Sequence, residues 1–318
     1  MDRPLRIGVT GASGFVGRVL LERLAREGYQ IVALTRQPID LQIATVRAVG
    51  DLGTAEGLGE ALEGVDVLIH LAARAHVMRE HRSDAVALYR AVNVDGTVRL
   101  AEAAVGAGIK RIVFVSSIKV NGEQTTARPF TADDEPAPED AYGLSKREAE
   151  AALWRIADKT GLEVTVIRPP LVYGPLVKGN LRRLVSFVQR GLPLPLGAVR
   201  NRRSLVSVYN LCDLLVRCVE HPAAAGQTFL ASDGEDLSTP GLIREIAAAL
   251  SRPARLWPVP VPVLRLAGRI TGRLDEVDRL CGSLQVDIAK TCNVLDWHPP
   301  LSVREGFRRA MGRGIANS

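Results

Sequence analysis

Short apolar runs and longer amphipathic stretches alternate along the first half of this chain. Residues 5–10 read as a buried strand, and apolar positions at helical spacing then run to about Arg26. Further apolar runs at 30–34, 48–52, 65–73, 111–117 and 164–167 predict more strands. Between them, 83–107 carries a helical period with Ser83-Asp84 as its cap signal and Asn93 and Gly96 inside it, and a second long, alanine-rich helix opens near Tyr142. Strands alternating with helices in this way predict an α/β protein with a doubly wound parallel sheet. After the strand at 164–167 the pattern shifts to helices near 181–189, 210–220 and 239–250, with one more strand at 227–231. These segments predict a larger unit at 1–168 and a smaller, mostly C-terminal α/β lobe at 169–318, with elements at about 205–232 returning to the first unit. The proline-rich stretch 253–262 around Trp257 reads as a structural connector.

Composition narrows the classes. At 318 residues and 47% hydrophobic content the chain can bury a large core. No apolar stretch approaches about 18 residues, and Met1-Asp2-Arg3-Pro4 lacks a signal-peptide layout, so a cytoplasmic protein without membrane insertion is expected. A net charge of +6 would suit nucleic acid, but aromatics make up only 4% and no basic stretch interleaves them, so nucleic acid is not expected as a partner. The surplus arginine suits phosphates on a small ligand instead. Cys212, Cys218, Cys281 and Cys292 form no Cys-x-x-Cys pair, and His76 and His81 fall on different helix faces, so no metal is expected.

The chemistry begins at Gly11-Ala12-Ser13-Gly14-Phe15-Val16-Gly17, placed between a strand and a helix. Gly11 permits a tight turn, Gly14 lets backbone approach a pyrophosphate, and Gly17 allows close helix packing, the arrangement of a Rossmann dinucleotide site. The second strand ends in Thr35-Arg36, with no acid for a ribose 2′-hydroxyl, and Arg36 can pair with a 2′-phosphate, which favours NADP over NAD. Asp51 is expected near an adenine, and Leu71-Ala72-Ala73 lets the chain pass beneath the cofactor, while His70 reads as a packed strand-end residue. Ser116 and Ser117 lie at the carboxyl end of a strand, where ligands sit in open parallel sheets. Tyr142 and Lys146 stand four apart, so in a helix they share a face, and a lysine cation there would lower the phenol pKa.

Together with Gly179-Asn180, the stretch Arg168-Pro169-Pro170-Leu171-Val172-Tyr173-Gly174-Pro175 and Leu295-Asp296-Trp297-His298-Pro299-Pro300, these motifs resemble the extended short-chain dehydrogenases/reductases of the nucleotide-sugar type, essentially end to end. Through Ser116-Ser117-Ile118-Lys119-Val120-Asn121-Gly122-Glu123 the chain looks most like bacterial 4-keto-reductases that form UDP-N-acetylquinovosamine or UDP-N-acetylfucosamine for surface polysaccharide such as lipopolysaccharide O-antigen. UDP-glucose 4-epimerases, which retain NAD, are the nearest relatives of that group. Thr35-Arg36 in place of an acid, Asn121 where a tyrosine is usual and Leu171 where an asparagine is usual depart from the epimerase pattern. A dinucleotide-sensing protein and a small-ketone reductase are further readings; the first is opposed by the presence of both Tyr142 and Lys146, the second by the downstream arginines.

The resemblance implies NADP-dependent, or possible NAD-dependent, reduction of the 4-keto group of a UDP-linked 2-acetamido-2,6-dideoxy sugar. It implies Ser117, Tyr142 and Lys146 as catalytic residues, with Ser117 hydrogen-bonding the carbonyl oxygen. Cofactor contacts are implied for Gly11, Ser13, Gly14, Phe15, Val16, Gly17, Arg36, Asp51, Leu52, Leu71, Ala72, Ala73, Asn93, Ser116 and Pro169, besides Tyr142 and Lys146. Lys119, Asn180, Arg203 and Arg279 are implied on the UDP-sugar, in the neighbourhood of Arg200 and Arg202. The helices at 83–107 and from Tyr142 onward are those with which relatives build a homodimer.

Overall fold

The apolar runs assemble in the computed structural model, which describes residues 4–54, 57–74, 82–175, 177 and 179–315. In chain order the elements are β1 (Arg6–Thr10), α1 (Phe15–Arg26), β2 (Gln30–Thr35), β3 (Thr45–Ala48), α2 (Leu58–Ala61), β4 (Val67–His70), α3 (Arg82–Arg90), α4 (Gly96–Gly106), β5 (Arg111–Val115), α5 (Ala141–Thr160) and β6 (Glu163–Arg168). There follow β7 (Leu171–Tyr173), α6 (Gly179–Gln189), β8 (Arg203–Ser207), α7 (Val208–Glu220), β9 (Gln227–Leu230), β10 (Asp236–Leu237), α8 (Thr239–Ala249), α9 (Val261–Ile270), α10 (Leu274–Cys281), α11 (Ala289–Leu295) and α12 (Val303–Ile315).

Seven strands form one parallel sheet in the order β3-β2-β1-β4-β5-β6-β9. The order reverses at β1, which places a crevice beyond the carboxyl ends of β1 and β4, where ligands bind in open α/β sheets. Both faces are covered. Leu20, Leu21 and Leu24 of α1 and the apolar side of α7 close one face, and Leu100, Ala101, Ala104, Ala149 and Leu153 of α4 and α5 close the other. Each such buried leucine contributes roughly 1.5–3 kcal/mol of burial free energy. A second, three-stranded sheet, β10-β8-β7, builds the smaller lobe with α6, α8 and α12, around Tyr173, Leu205, Ile243 and Phe307.

Three sequence expectations shift. The third strand occupies Thr45–Ala48 instead of 48–52, because Gly50, at φ +70°, turns the chain out of the sheet and carries Asp51 into a loop. The fourth strand stops at His70, so Leu71-Ala72-Ala73 run free of the ladder. The helix expected at 83–107 is interrupted by a π-helical turn at Ala91–Asp95 that contains Asn93. His76, His81 and residues 1–3 lie outside the described residues.

Candidate active site

The glycine turn between β1 and α1 forms one wall of a cleft of about 480 Å³. Gly11 sits at φ +67°, and a Cβ there would lie 2.9 Å from the Ala72 backbone nitrogen. A Cβ on Gly17 would come within 2.3 Å of the Gly11 carbonyl oxygen, so only glycine lets α1 start this close beneath the turn. Gly14 caps α1 without a side-chain bond and no acid occupies the first turn, so the N–H groups of Phe15, Val16 and Gly17 present unopposed positive potential at the cleft.

Ser13, Arg36, Asp51, Leu52, Leu71, Ala72 and Ala73 line the same cleft. Sequence reasoning missed Thr10, Thr35 and Arg74, which also line it. Arg36 is exposed on the rim at the end of β2, and β2 delivers no carboxylate there. The Asp51 carboxylate accepts the Gly53 N–H at 2.9 Å, fixing the loop wall. A cleft lined by the Gly11–Gly14 turn at a helix N-terminus and by Arg36 fits the pyrophosphate and adenosine of a dinucleotide.

Behind this wall runs a directed chain of hydrogen bonds. The Thr10 hydroxyl accepts the Ala72 N–H and meets His70 Nδ1 at 2.6 Å, while His70 Nε2 lies 3.0 Å from the Thr97 hydroxyl, which donates to the Asn93 carbonyl. Those donors require the His70 tautomer with hydrogen on Nε2. Burial, and then the Lys146 charge, push His70 down to about 3, so it stays neutral and serves as packing. The Asn93 side chain accepts from the Arg74 N–H and donates to the Ser145 hydroxyl, tying the cleft floor to α5. It thus reaches the cleft wall through Arg74.

Asp140 caps α5 by accepting the Gly143 N–H at 2.6 Å, which sets the helix phase and puts Tyr142 and Lys146 on one face. Lys146 is buried, its Nζ 3.9 Å from the centre of the Phe114 ring. Burial lowers its pKa to about 7 against an opposing pull from Glu150. Burial also pushes the Tyr142 phenol up to about 12, helped by Asp140 and Tyr89. The expectation that Lys146 lowers the phenol pKa is therefore reversed here: desolvation dominates both groups, and near pH 7 the lysine itself is only partly charged.

Ser117 stands at the carboxyl end of β5, its oxygen accepting the Lys119 N–H at 3.3 Å, which leaves its O–H free to donate. The Pro169 carbonyl accepts the Ile118 N–H at 3.0 Å and holds that turn in place. Ser116 points the other way, donating to the buried Glu150, which forms a 2.6 Å ion pair with Arg168; Arg168 also reaches Asn121. Ser116 therefore lies in a buried polar network behind the site, and Glu150 and Arg168, which no motif marked as a pair, hold α5 against β6.

The remaining polar residues scatter. The Lys119 ammonium is already held by Glu123 and Asp140; burial opposes its charge, but those bonds outweigh it and raise its pKa. Arg203 lies mostly buried and donates to the carbonyls of Arg279 and Gly282, which brings the 203 and 279 segments together, and burial lowers its pKa. Arg279 itself is exposed on α10, and Asn180 is exposed at the start of α6. Among the described residues no three or more histidine, cysteine or acidic side chains gather as metal ligands.

Residues 7–231 match the model of the NAD dependent epimerase/dehydratase family. A Vibrio cholerae protein named UDP-glucose 4-epimerase is 46% identical over 309 residues, spanning 96% of this chain and 94% of its own length. An Escherichia coli O157:H7 protein named N-acetyl-alpha-D-glucosaminyl-diphospho-ditrans,octacis-undecaprenol 4-epimerase is 30% identical over 95% of this chain and 92% of its own. The crystal structure of a UDP-N-acetylglucosamine 4-epimerase from Bacillus cereus shares the fold, with a TM-score of 0.81 over 98% of this chain and 99% of that one at 21% identity.

Proposed function

The chain belongs to the NAD dependent epimerase/dehydratase family, and we propose that it moves hydrogen at carbon four of the hexose of a UDP-sugar, with Tyr142 as the proton-transfer group. The observation that carries this reading is the placement of Tyr142 and Lys146 on one face of α5, whose start is pinned by Asp140 beside the Ser117 turn. The dinucleotide, when bound, would supply the hydride exchange and be held by the Gly11–Gly17 turn, Arg36 and the cleft wall. Tyr142 exchanges a proton with the sugar oxygen, Ser117 donates to that oxygen, and Lys146, one helical turn from Tyr142 and partly charged near pH 7, supplies positive charge when protonated.

The relative named UDP-glucose 4-epimerase supports epimerisation of a UDP-hexose as the form of the reaction, and the undecaprenol-linked 4-epimerase supports epimerisation at carbon four without bearing on the UDP group. Net reduction of a UDP-linked 4-keto sugar by NADPH is the second reading, favoured by Arg36 and the missing carboxylate at the end of β2. A cytoplasmic place in surface-polysaccharide precursor synthesis, contacts from Lys119, Asn180, Arg203 and Arg279 to the UDP-sugar, and a homodimer built on α3, α4 and α5 belong to the same proposal.

Purified protein denatured without added nucleotide separates the two forms. Stoichiometric release of NAD, with conversion of UDP-glucose or UDP-N-acetylglucosamine, supports epimerisation. Nucleotide-free protein that oxidises NADPH only when given a UDP-4-keto sugar supports reduction.

A further inference from the structure

Nine large hydrophobic residues are exposed among the described residues, and six of them, Phe187, Leu192, Trp257, Val263, Leu266 and Ile270, come from segments held side by side. The Leu194 N–H donates to the Arg255 carbonyl and the Trp257 N–H to the Leu194 carbonyl, both at 2.9 Å, so the end of α6 and its following loop lie against the loop that leads into α9.

Helix α9 is apolar on two sides. Leu264 and Gly268 are buried in the lobe, whereas Val263, Leu266 and Ile270 are 52%, 59% and 78% exposed. At about 100° per residue the three exposed side chains fall within an arc of about 60°, across the helix from the buried ones, with Arg265 and Arg269 between. Residues 251–274 contain Arg252, Arg255, Arg265, Arg269 and Arg273 and no acid. All five arginines are exposed, and among the described residues only Arg265 is in an ion pair, with Asp278.

The charge decides the occupant. A second copy seated on this face about a twofold axis would bring five arginines against five. Of the six exposed residues only Phe187 and Trp257 carry rings, and the Val263, Leu266 and Ile270 arc between the arginines gives successive bases no stacking platform. An anionic lipid surface satisfies both features, because arginines take the headgroups while Trp257 and the aliphatic arc enter the interface. We propose that α9 and the Trp257 loop dock this protein on an anionic membrane surface, the helix lying in the interface. Among the described residues no helix is long and apolar enough to cross a membrane, which fits docking without spanning. The proline-rich stretch 253–262 is then part of a docking surface as well as a connector. This inference is independent of the carbon-four chemistry.

The full-length protein would be sedimented with vesicles of phosphatidylcholine alone and of phosphatidylcholine mixed with phosphatidylglycerol. The expected result is a partition at least about tenfold higher on the anionic vesicles, weakened by added salt. Leu266→Asp with Ile270→Asp should lower it at least about tenfold, with melting temperature and UDP-sugar turnover kept. Arg269→Gln with Arg273→Gln should erase mainly the anionic preference, which keeps the test open if the first variant folds poorly. Equal partition on both vesicles overturns the proposal. So does a light-scattering mass that halves in the Leu266/Ile270 variant, which gives the face to a second copy, or retention on duplex DNA without vesicle binding.

Discussion

Lys146 holds its Nζ 3.9 Å over the centre of the Phe114 ring, buried one helical turn from Tyr142. Burial lowers its pKa to about 7 from 10.5. Between those values the unfolded chain keeps a proton that the folded protein has shed, so stability rises with pH across the window. The burial penalty is complete below about 7 and relieved as pH climbs towards 10.5. Lys146→Met should remove this dependence. In urea unfolding at pH 7 and pH 9 the parent should gain about 2 kcal/mol relative to the variant; parallel curves would show that the lysine is solvated.

Tyr142→Phe removes one oxygen from the face of α5 while Asp140 still caps the helix. Turnover of the UDP-sugar should fall at least about a hundredfold with nucleotide affinity unchanged. Steady-state kinetics beside calorimetry with the nucleotide checks both halves.

Arg36 stands exposed on the rim of the glycine-turn cleft, at the end of a strand that delivers no carboxylate. NADPH should bind more tightly than NADH, and Arg36→Ala should close the gap by weakening NADPH alone. Calorimetric titration with both nucleotides decides the point, and equal affinities in the parent would remove Arg36 from the 2′-phosphate.

Glu150 and Arg168 pair at 2.6 Å with both side chains buried. Glu150→Gln leaves a buried guanidinium without its counter-charge and should cost roughly 3–5 kcal/mol in urea unfolding. Adding Arg168→Met should recover part of that loss. A single variant as stable as the parent would mean that water reaches the pair.

Much of this was legible from spacing alone. The strand-turn-helix around Gly11, Gly14 and Gly17 and the apolar runs specify the parallel sheet, because period and punctuation are local properties. The second sheet was missed because β7, β8 and β10 hold only two to five residues each and pair over long separations. The π-helical turn at Asn93 falls inside a stretch that reads as one helix, and the buried Asn93, Gly96 and Thr97 there do not by themselves specify a wider turn. Nothing in local spacing links Glu150 to Arg168, since they meet only when β6 packs against α5. The Tyr142–Lys146 spacing was visible, but the direction of both pKa shifts depends on burial, which spacing does not encode.

Proton NMR of UDP-glucose and UDP-N-acetylglucosamine incubated with the purified protein, run beside a UDP-4-keto-6-deoxy sugar with NADPH, tests the central claim directly. Tyr142-dependent change at carbon four of at least one of these sugars is the predicted result. Sugars left unaltered at carbon four by a protein that is folded and binds the dinucleotide would contradict it.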